Sequence, residues 1–72
     1  MLLIPVISRN LAAVGWDEVS GELQVQFHNG SIYSYQSVPP EVYQGLMDAP
    51  SKGTYFAYTI RNNAIYQPTR IL

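Results

Sequence analysis

The residues predict an α+β fold: an antiparallel β-meander of three to four strands with one or two short helices packed on one face. Three observations carry this. Leu23-Gln24-Val25-Gln26-Phe27 alternates strictly between apolar and polar residues, the pattern of a strand with one wet face. An Asn29-Gly30 turn signal follows, and Tyr33-Ser34-Tyr35 resumes the same alternation. From Val38 the period changes: Val38, Val42, Leu46 and Ala49 fall on one helical stripe, widened by Tyr43 and Met47.

Met1–Ile7 is apolar but only seven residues long and is interrupted by Pro5. It is too short to span a membrane and lacks the charged start of a leader peptide, so it reads as a first strand with Pro5 at a sheet edge. A cytoplasmic location without membrane association is expected. Ala12, Val14 and Trp16 alternate with Leu11, Ala13 and Gly15 and predict the next strand. Asp17–Gly21 is rich in turn formers and ends in glycine, so it reads as a loop.

The hairpin at Asn29-Gly30 sets the register. A two-residue turn would pair Gln26 with Tyr33 and put Tyr33 and Tyr35 on the wet face with Gln24 and Gln26. A three-residue loop, His28-Asn29-Gly30, would place Gly30 in the left-handed position of a bulged turn. Val25 would then pair with Tyr33 and Leu23 with Tyr35. One residue of slip flips every side chain to the opposite face, and the buried face specifies register most strongly. The apolar pattern favours the three-residue loop. That register groups Leu23, Val25, Phe27, Tyr33 and Tyr35, and leaves Gln24, Gln26, Ser34 and Gln36 outside together with Ile32.

Val38-Pro39-Pro40-Glu41 opens the helix, because proline in the first turn sacrifices only N–H groups that have no partner, and Glu41 suits the positive end of the dipole. Gly45 weakens the helix by about 1 kcal/mol relative to alanine, which is explained if the helix packs closely on the sheet there. Pro50 ends it. Ser51 is placed to cap a second short helix over Lys52–Arg61, with Phe56 and Ile60 on one face. Tyr55–Ile60 also has strong strand propensity, and both readings stay open. In the tail, Ile65-Tyr66 or Arg70-Ile71-Leu72 can add a short terminal strand.

The 72 residues form one domain, 1–72, with no room for a second core. The chain has no cysteine and a single histidine, which excludes a disulfide framework and leaves no metal-ligand spacing. No cofactor is implied. Hydrophobic residues make up 47% and charged residues 12%, about half the usual charged share, so self-association is compatible with the composition. Four basic residues and a net charge of −1 give a weak field for a nucleic-acid binder. His28 sits at a turn beside Ser31 and is expected to be solvated. Asp17 and Glu18 are adjacent and point to different faces, so they are no carboxylate pair. An enzyme is not expected.

Two constellations remain. Tyr33 and Tyr35 could stack bases, at roughly 1–3 kcal/mol each, although the register argument shelters them beneath the helix. Ser51-Lys52-Gly53 at a helix start, joined by Arg61 and by Arg9 with Asn10, could hold an anion, since free N–H groups and a positive dipole end suit phosphate. The simpler role for the same residues is a serine cap, a solvated lysine and a turn glycine.

These pieces in order resemble the KTSC domain, a short domain found at the C-terminus of some lysyl-tRNA synthetases and as stand-alone bacterial or phage proteins. The resemblance runs over residues 6–61. It rests on Val6-Ile7-Ser8, Val14-Gly15-Trp16-Asp17, Leu23–Phe27 with Gly30, the central Tyr33-Ser34-Tyr35, Val38–Tyr43, Ala49–Phe56 and Ile60-Arg61. Ala57 stands where the family commonly has asparagine, and the tail after Arg61 is longer than the family's. The resemblance implies no enzymatic activity. It implies RNA binding. Together with the two constellations it leads to the expectation of a small binding module for RNA or another phosphate-bearing ligand, with Lys52, Arg61, Ser51, Gly53, Tyr33, Tyr35 and Arg9 as the expected site. The alternatives are a protein-interaction or self-assembly module (a homo-oligomer) and a binder of a small nucleotide.

Overall fold

The computed structural model describes residues 1–72. Five strands form one antiparallel sheet in chain order: β1 (Ile4–Pro5), β2 (Leu11–Trp16), β3 (Leu23–Phe27), β4 (Ile32–Tyr35) and β5 (Pro68–Arg70). Between β4 and β5 the chain makes α1 (Pro40–Asp48) and then α2 (Lys52–Tyr55), which runs on as a π-helical turn over Phe56–Arg61. The α+β class holds, but the sheet has five strands rather than three to four. The fifth is Pro68–Arg70, which pairs Tyr33 with Arg70 and Tyr35 with Pro68. Without it the far edge of β4 would present unpaired backbone groups. Both edge strands are short and carry a proline, Pro5 and Pro68, which cannot continue a hydrogen-bonded ladder outward.

The β3–β4 hairpin has the three-residue loop. Leu23 pairs with Tyr35 and Val25 with Tyr33. Phe27 N–H donates to Ser31 O at 2.9 Å, Gly30 N–H donates to Phe27 O at 2.9 Å, and Gly30 has φ +92. That backbone conformation strains any residue with a Cβ, which is why glycine closes the loop.

The alternation expected for β2 is interrupted. Leu11 pairs with Phe27 but Ala13 with Gln26, so Ala12 is an extra residue in a β-bulge. The bulge moves Leu11 to the face of Val14 and Trp16, and Leu11 is fully buried there. Ile32, expected outside, is half-buried. Its backbone binds the chain end: Ile32 N–H donates to Leu72 O at 3.0 Å, and Ile71 N–H donates to Ile32 O at 2.9 Å.

The core joins the inner sheet face to the helices. Leu11, Val14, Leu23, Val25 and Tyr35 from the strands meet Val38, Leu46, Phe56, Ile60 and Tyr66. Of the expected helical stripe, Leu46 alone is fully buried within α1, while Val42, Tyr43 and Met47 pack around the margin. Trp16 stacks on Tyr43 at 4.8 Å with an interplanar angle of 11°, and its Nε1–H donates to Val38 O at 3.0 Å.

The Tyr55–Ile60 ambiguity resolves as helix. Ser51 is the N-cap: its hydroxyl accepts from Thr54 N–H and it has extended backbone angles. The cap and the burial of Phe56 and Ile60 on one face outweigh the strand propensity of the tyrosines and threonine.

Gly45 packs not on the sheet but on Tyr55. A Cβ at position 45 would overlap the phenol oxygen and lie 2.7 Å from Cζ. The same hydroxyl donates to Val42 O at 3.0 Å, tying α2 to α1. Helix propensity alone would favour Gly45→Ala by about 1 kcal/mol. Here the overlap dominates, and urea unfolding should show a net loss of about 1–3 kcal/mol. In a Tyr55→Leu background the same substitution should lose most of that penalty, and an equal penalty in both backgrounds would refute the contact.

Candidate functional site

Two separate cavities receive the residues singled out by the sequence. The first is a polar cleft of about 560 Å³ between the β1–β2 loop and the start of α2. Arg9 and Asn10 line one side, and Ser51, Lys52 and Gly53 the other. Ile7 is its one hydrophobic lining residue, and no acidic residue lines it. The loop is held by Ser8, whose hydroxyl accepts from Asn10 N–H at 3.3 Å and Leu11 N–H at 3.2 Å, and by His28. His28 Nε2 lies 2.9 Å from Ser8 O and must carry the proton to donate there. The turn histidine is therefore a tie between hairpin and loop.

Gly53 lets the two sides approach. A Cβ there would lie 3.0 Å from Asn10 Nδ2, tighter than ordinary packing. Lys52 is half-buried and its Nζ donates to Ala49 O at 3.2 Å, completing the carbonyl end of α1 where a cation suits the dipole.

The second cavity is a groove of about 440 Å³ beside the β3–β4 hairpin. Phe27, Tyr33, Tyr35, Pro68 and Arg61 line it. Tyr35 is 2% exposed and Tyr33 is half-buried, so both rings lie on the helix side of the sheet, as the register requires. Phe27 meets Tyr33 edge-to-face at 5.7 Å, and Phe56 meets Tyr35 likewise at 5.5 Å. Burial pushes the Tyr35 phenol above its ordinary range, and the nearby Arg61 charge pulls the other way.

The expected site is thus divided. Arg9, Ser51, Lys52 and Gly53 come together, and Tyr33, Tyr35 and Arg61 come together elsewhere. Lys52 and Arg61 stand at opposite ends of one helical stretch. At about 1.5 Å per residue the nine steps between them amount to roughly 13 Å, too far for one phosphate. The aromatic groove also uses Phe27, Asn29 and Pro68. Phe27 is legible as a neighbour of Tyr33 once the register is known, whereas Pro68 carries no signal until β5 is placed. No three of the His, Asp and Glu side chains converge into a metal-binding cluster. No helix is long and apolar enough to cross a membrane.

The model for the KTSC domain matches residues 7–66. The chain belongs to the KTSC domain family. It is 35% identical over 68 residues to an uncharacterised protein of Stutzerimonas stutzeri, covering 94% of this chain and 87% of that one. It is 42% identical over 41 residues to a lysine–tRNA ligase of Nostoc punctiforme, which covers 57% of this chain but only 7% of the ligase. The crystal structure of a KTSC domain protein from Yersinia pestis superposes with a TM-score of 0.89 at 30% identity, covering 99% of this chain and 97% of the other. The shared five-stranded architecture is therefore that of the KTSC domain.

The opposite sheet face holds a polar network in this KTSC domain. Ser34, expected on the wet face, does lie there but is 2% exposed. Its hydroxyl donates to Glu22 Oε2 at 2.7 Å and accepts from Gln36 Nε2 at 2.9 Å, and Gln24 Nε2 donates to the same carboxylate oxygen at 3.0 Å. The bonds from Ser34 and then Gln24 hold the Glu22 carboxyl below the usual carboxylate range. A depressed folded-state pKa stabilises the fold above the unfolded value, near 4.3, and that contribution is lost as pH falls through the folded value. The urea midpoint should therefore fall as pH drops below about 4.3, and Glu22→Gln should reduce that acid-limb fall. An unchanged acid limb in Glu22→Gln would show that the network does not set it.

Proposed function

We propose that this KTSC domain is a non-enzymatic module that binds RNA or another phosphate-bearing ligand, in the cytoplasm, through the cleft between Arg9 and Lys52. The observation that carries this reading is the cleft itself. Two cations from distant parts of the chain face one polar cavity with no lining carboxylate, beside a serine hydroxyl and a glycine. Arg9 supplies a forked donor set for phosphate oxygens, and Lys52 a point charge. The relatives named lysine–tRNA ligase place this domain in proteins named for an RNA, which favours RNA among phosphate-bearing ligands. His28 gives no support to a catalytic reading, because it is engaged with Ser8 O and lies outside both cavities.

With so few cations, affinity should be modest and steeply dependent on salt only to the extent of two contacts. Each phosphate neutralised on a single strand contributes about −0.7 to the slope of log K against log salt. Fluorescence anisotropy with a single-stranded RNA should give a slope that flattens by about 1.4 in the Arg9→Ala/Lys52→Ala variant, with binding weakened at low salt. An unchanged affinity and slope in that variant would remove the cleft from the function.

A further inference from the structure

The groove at Tyr33 and Arg61 is built differently from the cleft. Its walls are Phe27, Tyr33, Tyr35 and Pro68, and Arg61 is its one charged lining residue. Four rings form a continuous chain behind it: Tyr33 on Phe27, Phe27 on Phe56 at 5.9 Å, and Phe56 on Tyr35, all edge-to-face. The rings are locked by one another and by the sheet, so the groove is formed in advance of any ligand.

Its polar groups are mainly donors. Asn29 Oδ1 already accepts from Ser31 N–H at 3.0 Å and Ser31 Oγ–H at 2.7 Å, while the Asn29 amide N–H groups make no bond to the protein. Every fully buried polar side-chain atom of the protein has a partner. The Tyr35 hydroxyl bonds to no protein group, so its oxygen opens on the groove although its ring is 2% exposed. Arg61 adds a guanidinium at the rim.

We infer that this groove binds a small aromatic carboxylate, with the ring against Phe27, Tyr33 and Pro68 and the carboxylate on Arg61. One guanidinium matches one carboxylate in charge and in the geometry of a paired hydrogen bond. The walls offer hydrocarbon to the ring. A nucleobase would press its nitrogen and oxygen atoms against Phe27 and Pro68 without partners, at a desolvation cost. A phosphate dianion would exceed the single positive charge. The volume of about 440 Å³ falls within the range of small-molecule sites, about 300–1,000 Å³. The inference uses no residue of the Arg9–Lys52 cleft and stands or falls apart from the RNA reading.

The test is titration of naphthoate into the isotope-labelled full chain, followed by amide NMR. Saturable shifts should cluster over residues 27–35 and at Arg61. Arg61→Gln should weaken binding by about tenfold or more with an unchanged unfolding midpoint, since Arg61 is exposed. The neutral analogue naphthylmethanol and the mononucleotide AMP should each bind about tenfold more weakly than naphthoate. The Arg9→Ala/Lys52→Ala variant should bind naphthoate as the native chain does. Failure to saturate at millimolar naphthoate overturns the inference. So does undiminished binding by Arg61→Gln, tighter binding of AMP than of naphthoate, or shifts confined to the Arg9–Lys52 cleft.

Discussion

The extra residue in the β3–β4 hairpin is the constraint from which the rest of the structure follows. With Gly30 in the left-handed region, Leu23 faces Tyr35 and Val25 faces Tyr33. These residues, with Phe27, then make one continuous apolar surface. The helical segment can cover that surface only by presenting Phe56 and Ile60, which is what it does. A turn one residue shorter would turn Ser34 and Gln36 inward and leave both tyrosines in water. Neither the core beneath α2 nor the aromatic groove could form in that register. The bulge at Ala12 serves the same surface, since it turns Leu11 toward Phe27 and extends the core to the end of β2.

The helices are then fixed by polar ties rather than by apolar burial alone. Leu46 is the only fully buried residue of α1, too little to orient a nine-residue helix. Tyr55 Oη–H to Val42 O, Trp16 Nε1–H to Val38 O and Lys52 Nζ to Ala49 O fix its angle and both ends. One consequence reaches the sites. Because the Ser51 cap starts α2 beside α1, Lys52 is committed to the cleft at the β1–β2 loop. The helical stretch then carries Arg61 away from that loop to the groove lined by Tyr33 and Pro68. Its π-helical turn ends with Asn62 N–H donating to Ala57 O at 3.0 Å, the wider i to i−5 pattern.

Much of this was legible in the residues, and what was not has identifiable causes. Period-2 and period-3.6 patterns specified β3, β4 and α1 because each has one buried face. The Ser51 cap was readable, and tertiary burial of Phe56 and Ile60 decided between helix and strand where propensity could not. The bulge was hidden because Ala12 and Ala13 are the same residue, so no change of pattern marks the extra one. The terminal strand expected at Ile65-Tyr66 or Arg70–Leu72 falls instead at Pro68–Arg70, because Pro68-Thr69-Arg70 has no strand pattern of its own and is held by its pairing with β4. Ser34 was assigned correctly to the outer face but not to its burial, where its hydroxyl meets Glu22 from the β2–β3 loop. The cleft was legible in part, since Ser51-Lys52-Gly53 and Arg9-Asn10 each drew attention. The separation of Lys52 from Arg61 required knowing that the intervening segment is helical.

The division of cations between the two cavities bears on any binding role. The chain has four basic residues, and Arg70 is turned toward its own chain end, with Nε donating to Leu72 O at 3.2 Å. Two cations therefore line the polar cleft and one lines the aromatic groove. Exposed charges more than about 8–10 Å apart are largely screened at physiological salt, so the two sites cannot pool their fields. Discrimination must then come from what surrounds each charge. The cleft surrounds two cations with hydroxyl, amide and glycine backbone and can reward a hydrated polyanion. The groove surrounds one guanidinium with aromatic rings and proline and rewards a ligand that brings its own apolar surface.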